Sequence, residues 1–126
     1  MTIVLDASAL LAWLHGEAGG ENIPPVLDGA VMSAVNWCEV MQKSRQKGAS
    51  AEGMLDDVSE MGLTIAPFTA TQAESAALLW KQAQSLGLSL GDRACLALAL
   101  ELSAPVLTAD RIWSGLNTGL DIRFIR

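Results

Sequence analysis

The fold of this chain is decided by two short apolar stretches that each end in an aspartate, Ile3-Val4-Leu5-Asp6 and Pro105-Val106-Leu107-Thr108-Ala109-Asp110. Continuous Val, Ile and Leu residues without polar alternation are typical of buried parallel strands. In an open α/β sheet, binding sites form in the crevice beyond the carboxyl ends of the strands. We therefore expect Asp6 and Asp110 to face one another there, although they come from opposite ends of the chain.

A pair of neighbouring carboxylates has a chemical consequence. Two such groups repel one another and resist ionisation unless a cation neutralises them. The predicted pairing of Asp6 with Asp110 therefore suggests a site for a divalent metal ion.

The composition indicates one compact domain over residues 1–126. Hydrophobic residues make up 51% of the chain and charged residues 17%, which excludes a disordered protein. No apolar run approaches the roughly 20 residues of a membrane span, and no basic region precedes the first apolar stretch as in a signal peptide. Cys38 and Cys95 are isolated and suit small buried positions. We expect a cytoplasmic protein without a membrane partner.

The net charge of −6 argues against broad, nonspecific attraction to nucleic acid. It leaves open a nucleic-acid substrate that is held through metal ions and a local basic patch. Part of the negative charge would then belong to the metal site itself.

The segments alternate between strand and helix, which favours an α/β architecture. The apolar runs predict strands at 2–5, 30–33, 63–66, from 106 onward and, at an edge, 122–125. The helical spacing predicts helices over 7–15, 35–46, 50–61, 71–86 and 92–102, with a short turn or helix near 111–116.

Two further acids lie on predicted helices. Glu39 is three residues after Asn36 and shares a helix face with it, and Asp92 opens the most apolar helix of the chain. Each acid also has a simpler explanation, since Asp6, Asp92 and Asp110 can be helix caps and Glu39 can face solvent. These separate explanations are harder to accept for all four acids together, because all four lie at strand ends or on adjoining helices.

The sequence offers few other arrangements of catalytic or ligand-binding residues. The glycines at 16–20 match no phosphate-binding loop, and the lone His15 is better explained as a helix-end residue than as a base or ligand. Catalysis by a Ser-His-Asp or Cys-His arrangement is therefore not supported. Four carboxylates without histidine suit Mg²⁺ or Mn²⁺ and disfavour zinc.

The chain resembles the PIN-domain family, and in particular the VapC-like toxins of bacterial type II toxin–antitoxin pairs. The resemblance covers nearly the whole length, and it rests on the order and spacing of four motifs: residues 3–12 (IVLDASALLA), 33–40 (SAVNWCEV), 88–99 (LSLGDRACLALA) and 106–111 (VLTADR).

This resemblance implies a PIN-like α/β fold, in which a central, mainly parallel sheet is flanked by helices in three layers. It implies an endoribonuclease dependent on Mg²⁺ or Mn²⁺, which hydrolyses RNA by means of a metal-activated water. The family's acidic quartet, catalytic and metal-binding, maps onto Asp6, Glu39, Asp92 and Asp110. The nearby supporting residues are Ser8, Asn36 and Thr108.

The resemblance also implies partners, namely a cognate antitoxin protein and a second copy of the chain in a homodimer. Large apolar residues on the early helices can line a groove for a partner helix, or can belong to the ordinary core, which is the stronger interpretation for most of them: Trp13, Met41, Met54, Leu55 and Met61. Substrate phosphate has four candidate contacts, each equally well a solvated helix residue: Arg93, Arg111, Lys43 and Lys47. Some relatives carry a further acid after the last motif, where this chain has Ser114 and Asn117.

Two other functions stay open from the sequence. One is a non-catalytic module that keeps the PIN fold and acts by binding a protein partner. The other is a phosphohydrolase with Asp6 as nucleophile, as in haloacid-dehalogenase-like folds, although that family has a second aspartate where Ser8 stands here.

Overall fold

The computed structural model of the protein describes residues 2–126 and contains a five-stranded sheet in which every pair of neighbouring strands is parallel. The strand order is β3-β2-β1-β4-β5. The strands are β1 (Val4–Leu5), β2 (Val31–Ser33), β3 (Thr64–Ala66), β4 (Val106–Thr108) and β5 (Ile122–Phe124). The expected α/β fold with a parallel sheet is confirmed.

Within the described residues, seven α-helices connect and flank the strands: α1 (Ala7–Leu14), α2 (Pro24–Leu27), α3 (Ala34–Gln46), α4 (Met54–Glu60), α5 (Ala70–Leu78), α6 (Trp80–Leu86) and α7 (Leu90–Leu102). Short 3₁₀ helices lie at Gly20–Asn22 and Arg111–Gly115. No helix of residues 2–126 combines the length and apolar character that crossing a bilayer demands.

Three predicted helices differ from the structure by more than one residue. The helix expected over 71–86 is two helices that meet at Leu79. The helix expected over 50–61 begins only at Met54, because Gly53 before it has φ of 80°, outside the right-handed helical region. Helix α7 begins at Leu90, two residues before Asp92, with Ser89 as its N-cap.

The core lies on both faces of the sheet. Successive strand residues point to opposite faces, so that Leu5 packs against α1, α3 and α4 while Val4 packs against α6 and α7. Trp113 is fully buried in the second of these layers. The arrangement is the expected three-layer sandwich, with helices on each side of the sheet.

The strand order shows which end of the sheet is suited to binding a ligand. From the central β1 the chain proceeds to β2 on one side, whereas β4 pairs with β1 on the other side in the register Leu5↔Leu107. The carboxyl ends of β1 and β4 therefore form the topological switch point, where open α/β sheets bind their ligands. Asp6 and Thr108 are neighbours there.

Candidate active site

Asp6 is the buried centre of the site. Its side chain is 3% exposed and caps α1 by accepting a hydrogen bond from the amide of Ala9 at 2.9 Å. It also accepts hydrogen bonds from the hydroxyls of Ser8, at 2.8 Å, and Thr108. The expected helix cap and the expected site residue are therefore the same carboxylate.

The charge of Asp6 has no cationic partner within the described residues. Burial raises the pKa of Asp6 from 3.8 to about 6, and the nearby Asp92 carboxylate adds to this, while the hydrogen bonds from Thr108, Ala9 and Ser8 lower it. A cation placed beside this carboxylate would favour its ionised form. The electrostatics of Asp6 therefore suit the binding of a cation.

Asp92 comes from the first turn of α7. Its carboxylate accepts a hydrogen bond from the amide of Ser89 at 2.9 Å, and the Ser89 hydroxyl accepts one from the amide of Asp92 at 3.2 Å. This reciprocal capping box fixes the start of the helix. The helix itself is buried almost all round, as its sequence predicts, so the box holds Asp92 on a rigid element.

Glu39 is positioned by Asn36 and Gly91. The side-chain amide nitrogen of Asn36, a residue that is 1% exposed, donates to Glu39 Oε1 and to the backbone carbonyl of Gly91, both at 2.9 Å. The Glu39 carboxylate lies directly over Gly91, so that any side chain at position 91 would collide with it. Sequence reasoning missed Gly91, and the only signal for it is a glycine directly before Asp92 at the start of an apolar helix.

Asp110 and the two hydroxyls join the ends of β1 and β4. Asp110 is exposed and caps the last 3₁₀ helix by accepting from the amide of Ile112 at 3.1 Å. The Thr108 hydroxyl accepts from the amide of Asp110, and the Ser8 hydroxyl accepts from the amide of Ala109, both at 3.0 Å. Ser8 and Thr108 thus donate to the Asp6 carboxylate and hold the two strand ends together.

All four predicted acids line one cleft of about 300 Å³, which we call the acid cleft: Asp6, Glu39, Asp92 and Asp110, together with Ala7, Ser8, Lys43 and Ser89. Beneath the cleft, the pKa of the buried Cys95 thiol is well above its usual value, because of its burial and the nearby carboxylates of Asp6, Asp92 and Glu39. The structure therefore brings together side chains from β1, α3, α7 and β4.

The donor set suits a hard divalent cation, since it consists of carboxylates and hydroxyls without histidine or accessible thiolate. Among residues 2–126, however, no three acidic, histidine or cysteine side chains converge closely enough to hold one ion as they are placed. Glu39 accepts one hydrogen bond from the side chain of Asn36, and Asp92 accepts one from the backbone amide of Ser89.

The family is established by comparison with known proteins. The family model of the PIN domain matches residues 3–117. The chain belongs to the PIN-domain family. A comparison with curated protein sequences finds no match.

Several solved structures share the fold of this PIN domain. A toxin–antitoxin complex from Klebsiella pneumoniae matches with a TM-score of 0.70 at 19% identity, covering 95% of this chain and 99% of that chain. A DNA-bound VapBC from Salmonella typhimurium matches with a TM-score of 0.71 at 14% identity, covering 100% and 99%. VapC20 of Mycobacterium tuberculosis, described as a toxin that cleaves the sarcin–ricin loop, matches with a TM-score of 0.72 at 12% identity, covering 94% and 98%.

The arginines expected to contact phosphate do not line the acid cleft of this PIN domain. The Arg93 guanidinium donates to the carbonyl of Ala76 at 3.1 Å, and no salt bridge to Asp92 is found among the described residues. Arg111 donates to the carbonyl of Arg126 at 2.7 Å and stacks over Phe124. Both guanidiniums are held by the protein itself, whereas Lys43 lies in the cleft wall.

The other expected positions divide between surface and core. Ser114 and Asn117 are exposed and contribute nothing to the acid cleft. Of the apolar residues considered for a partner groove, Trp13 and Met54 pack against the core, and Met41 is partly buried. Leu55 and Met61 are 47% and 41% exposed, so these two are the members available to a partner.

Proposed function

We propose that the protein is an endoribonuclease, dependent on Mg²⁺ or Mn²⁺, that acts as the toxin of a toxin–antitoxin pair. The observation that carries this proposal is the acid cleft, in which Asp6, Glu39, Asp92 and Asp110 meet at the switch point of a PIN-domain sheet. A solved relative of the same fold is described as an RNA-cleaving toxin, which supports RNA as the substrate.

In this proposal, Asp6, Asp92 and Asp110 are the main metal ligands, and Glu39 binds directly or through water. When bound, the metal supplies an acidified water and positive charge beside the phosphodiester. Ser8 and Thr108 orient the Asp6 carboxylate by their hydrogen bonds, and Asn36 orients Glu39. Because Asp6 is buried, little water screens its carboxylate, so its charge would act strongly on a cation in the cleft.

The nuclease proposal is tested by RNA cleavage with purified protein. We expect Asp92→Asn to abolish cleavage in Mg²⁺ or Mn²⁺, because it removes a ligand charge while asparagine can keep the cap of α7. The control is Asp56→Asn, which removes an exposed acid of α4. Cleavage that persists in Asp92→Asn, or in excess chelator, would contradict the proposal.

The toxin proposal implies a partner. The solved relatives include complexes described as toxin with antitoxin, and we propose that this chain likewise binds a cognate antitoxin over the acid cleft and forms a homodimer. Large apolar side chains exposed on α5, α6 and α7 give it surface for such contacts: Leu78, Trp80 and Leu90. Because its substrate would be cellular RNA, we place its action in the cytoplasm.

Inducible expression in bacteria tests the toxin role. Wild-type chain should arrest growth and Asp92→Asn should not, while co-expression of the cognate antitoxin should restore growth. A non-catalytic binding module would instead bind a partner tightly without cleaving RNA. An aspartyl phosphohydrolase is disfavoured, because Ser8 stands where haloacid-dehalogenase-like folds have their second aspartate.

A further inference from the structure

A second cleft runs between α1 and α3, and we call it the α1–α3 groove. Its volume is about 340 Å³, and it is lined by one face of each helix and the residue that caps it: Ser8, Leu11 and the C-cap His15 from α1, and Lys43, Gln46 and the C-cap Lys47 from α3, with Glu17 at one end. Residues spaced three or four apart lie on the same helix face, so the two lining sets are continuous walls. At a rise of 1.5 Å per residue, the α1 wall extends about 10 Å from Ser8 to His15.

The α1–α3 groove is continuous with the acid cleft. Ser8 and Lys43 line both cavities, one from each wall. A linear molecule that lies over the four carboxylates can therefore reach the groove past Ser8 and Lys43.

The groove places two lysines at the edge of the site. The Lys43 side chain forms no salt bridge or hydrogen bond within residues 2–126. Lys47 pairs only with Glu17, at 3.8 Å, and both side chains of this pair are well exposed, so the pair contributes little stability. In a chain with a net charge of −6, these cations mark a local site for an anion.

We propose that the α1–α3 groove binds the phosphate backbone of the RNA strand next to the bond that is cleaved. This inference rests on the proposed nuclease function and adds where the substrate lies. Lys43 and Lys47 are one helical turn apart and contact successive phosphates, with Lys43 nearest the acid cleft. His15 and Gln46 offer hydrogen-bonding groups to the strand, and Leu11 offers an apolar surface to a ribose or base.

The charge pattern favours the phosphodiester backbone of a nucleic acid over a peptide. A basic peptide would suit the acid cleft but would be repelled by the lysines of the groove. An acidic peptide would suit the groove, but its side chains lack a group that the cleft would act upon. A nucleic-acid strand satisfies both parts, because its phosphates pair with lysines in the groove and share a divalent cation with carboxylates in the cleft.

The test measures RNA binding by fluorescence anisotropy in an Asp92→Asn background, with a labelled single-stranded RNA of mixed sequence. We expect the double variant Lys43→Gln/Lys47→Gln to bind several-fold more weakly at low salt. We also expect the slope of log K against log salt to fall by about 1.4, since each lost phosphate contact on a single strand removes about 0.7. Arg45→Gln is the matched control, because it removes a cation from the same helix outside the groove.

Several results would overturn the assignment of the groove to RNA. Unchanged affinity and slope in the double variant, or no RNA binding by the parent protein at low salt, would overturn the proposal. So would a selective loss of binding to polyglutamate, which would assign the groove to an acidic protein segment. Lysine-dependent RNA binding by a wild-type protein that cleaves no RNA would contradict the nuclease and support the groove.

Discussion

At the scale of single residues, Asp6 combines two roles that usually conflict. It is a helix cap held by three hydrogen-bond donors, and it is a buried carboxylate whose pKa is raised to about 6. The hydrogen bonds favour its charge, but they do not fully offset the loss of hydration. The metal-free fold is therefore less stable with Asp6 ionised than with a neutral group of the same shape.

This conflict predicts a stabilising variant. Because the folded pKa of Asp6 lies above its unfolded value of 3.8, the folded state holds the extra proton between these values. Stability from this group is complete at low pH and is lost as pH rises toward about 6. Asp6→Asn removes the effect while keeping the cap, so we expect its stability advantage in chelator to grow by about 1 kcal/mol from pH 5 to pH 7.5.

The measurement is urea unfolding of wild type and Asp6→Asn in excess chelator at the two pH values. Groups that do not interact with Asp6 titrate alike in both proteins, so their effects cancel in the comparison. If the stability advantage of Asp6→Asn stays constant between pH 5 and 7.5, or shrinks, ionisation of Asp6 does not destabilise the folded protein.

At the scale of elements, the strands and most helices could be predicted because their signals are local. Continuous apolar runs identified the buried strands, and the near-complete apolarity of α7 identified a central helix. The division of the segment 71–86 into α5 and α6 could not be predicted, because its cause comes from another helix. The carbonyl of Ala76 accepts from the amide of Leu79 at 3.2 Å and from the Arg93 guanidinium of α7, instead of from the amide of Trp80 as in a continuous helix.

Arg93 is therefore expected to matter for stability. We expect Arg93→Gln to lower the free energy of unfolding by about 1–2 kcal/mol, since it removes a charge-assisted hydrogen bond that ties α5 to α7. RNA affinity of the folded variant should change little. The matched control is Lys81→Gln, an exposed cation of α6. Unaltered stability together with weakened RNA binding would instead restore Arg93 as a phosphate contact.

At the scale of the whole molecule, the sequence predicted that the four acids lie close together but not which contacts place them in one cleft. The strand order β3-β2-β1-β4-β5 follows from packing across the sheet, which no single segment encodes. The contact of Asn36 with the carbonyl of Gly91 joins positions 55 residues apart, and it is invisible to any local pattern. The capping explanation of Asp6, Asp92 and Asp110 also proved compatible with the site, because strand ends that lead into helices place caps and ligands at the same edge.

The central claim is that the acid cleft binds a divalent cation through carboxylates gathered from both ends of the chain. Calorimetric titration of the RNA-free protein with Mn²⁺ tests it most directly, with wild type compared with Asp6→Asn, Asp92→Asn and the surface control Asp56→Asn. We expect wild type and Asp56→Asn to bind alike, and each cleft variant to bind at least about tenfold more weakly because it loses a charged ligand. No binding by wild type, or equal binding by all four proteins, would contradict the claim.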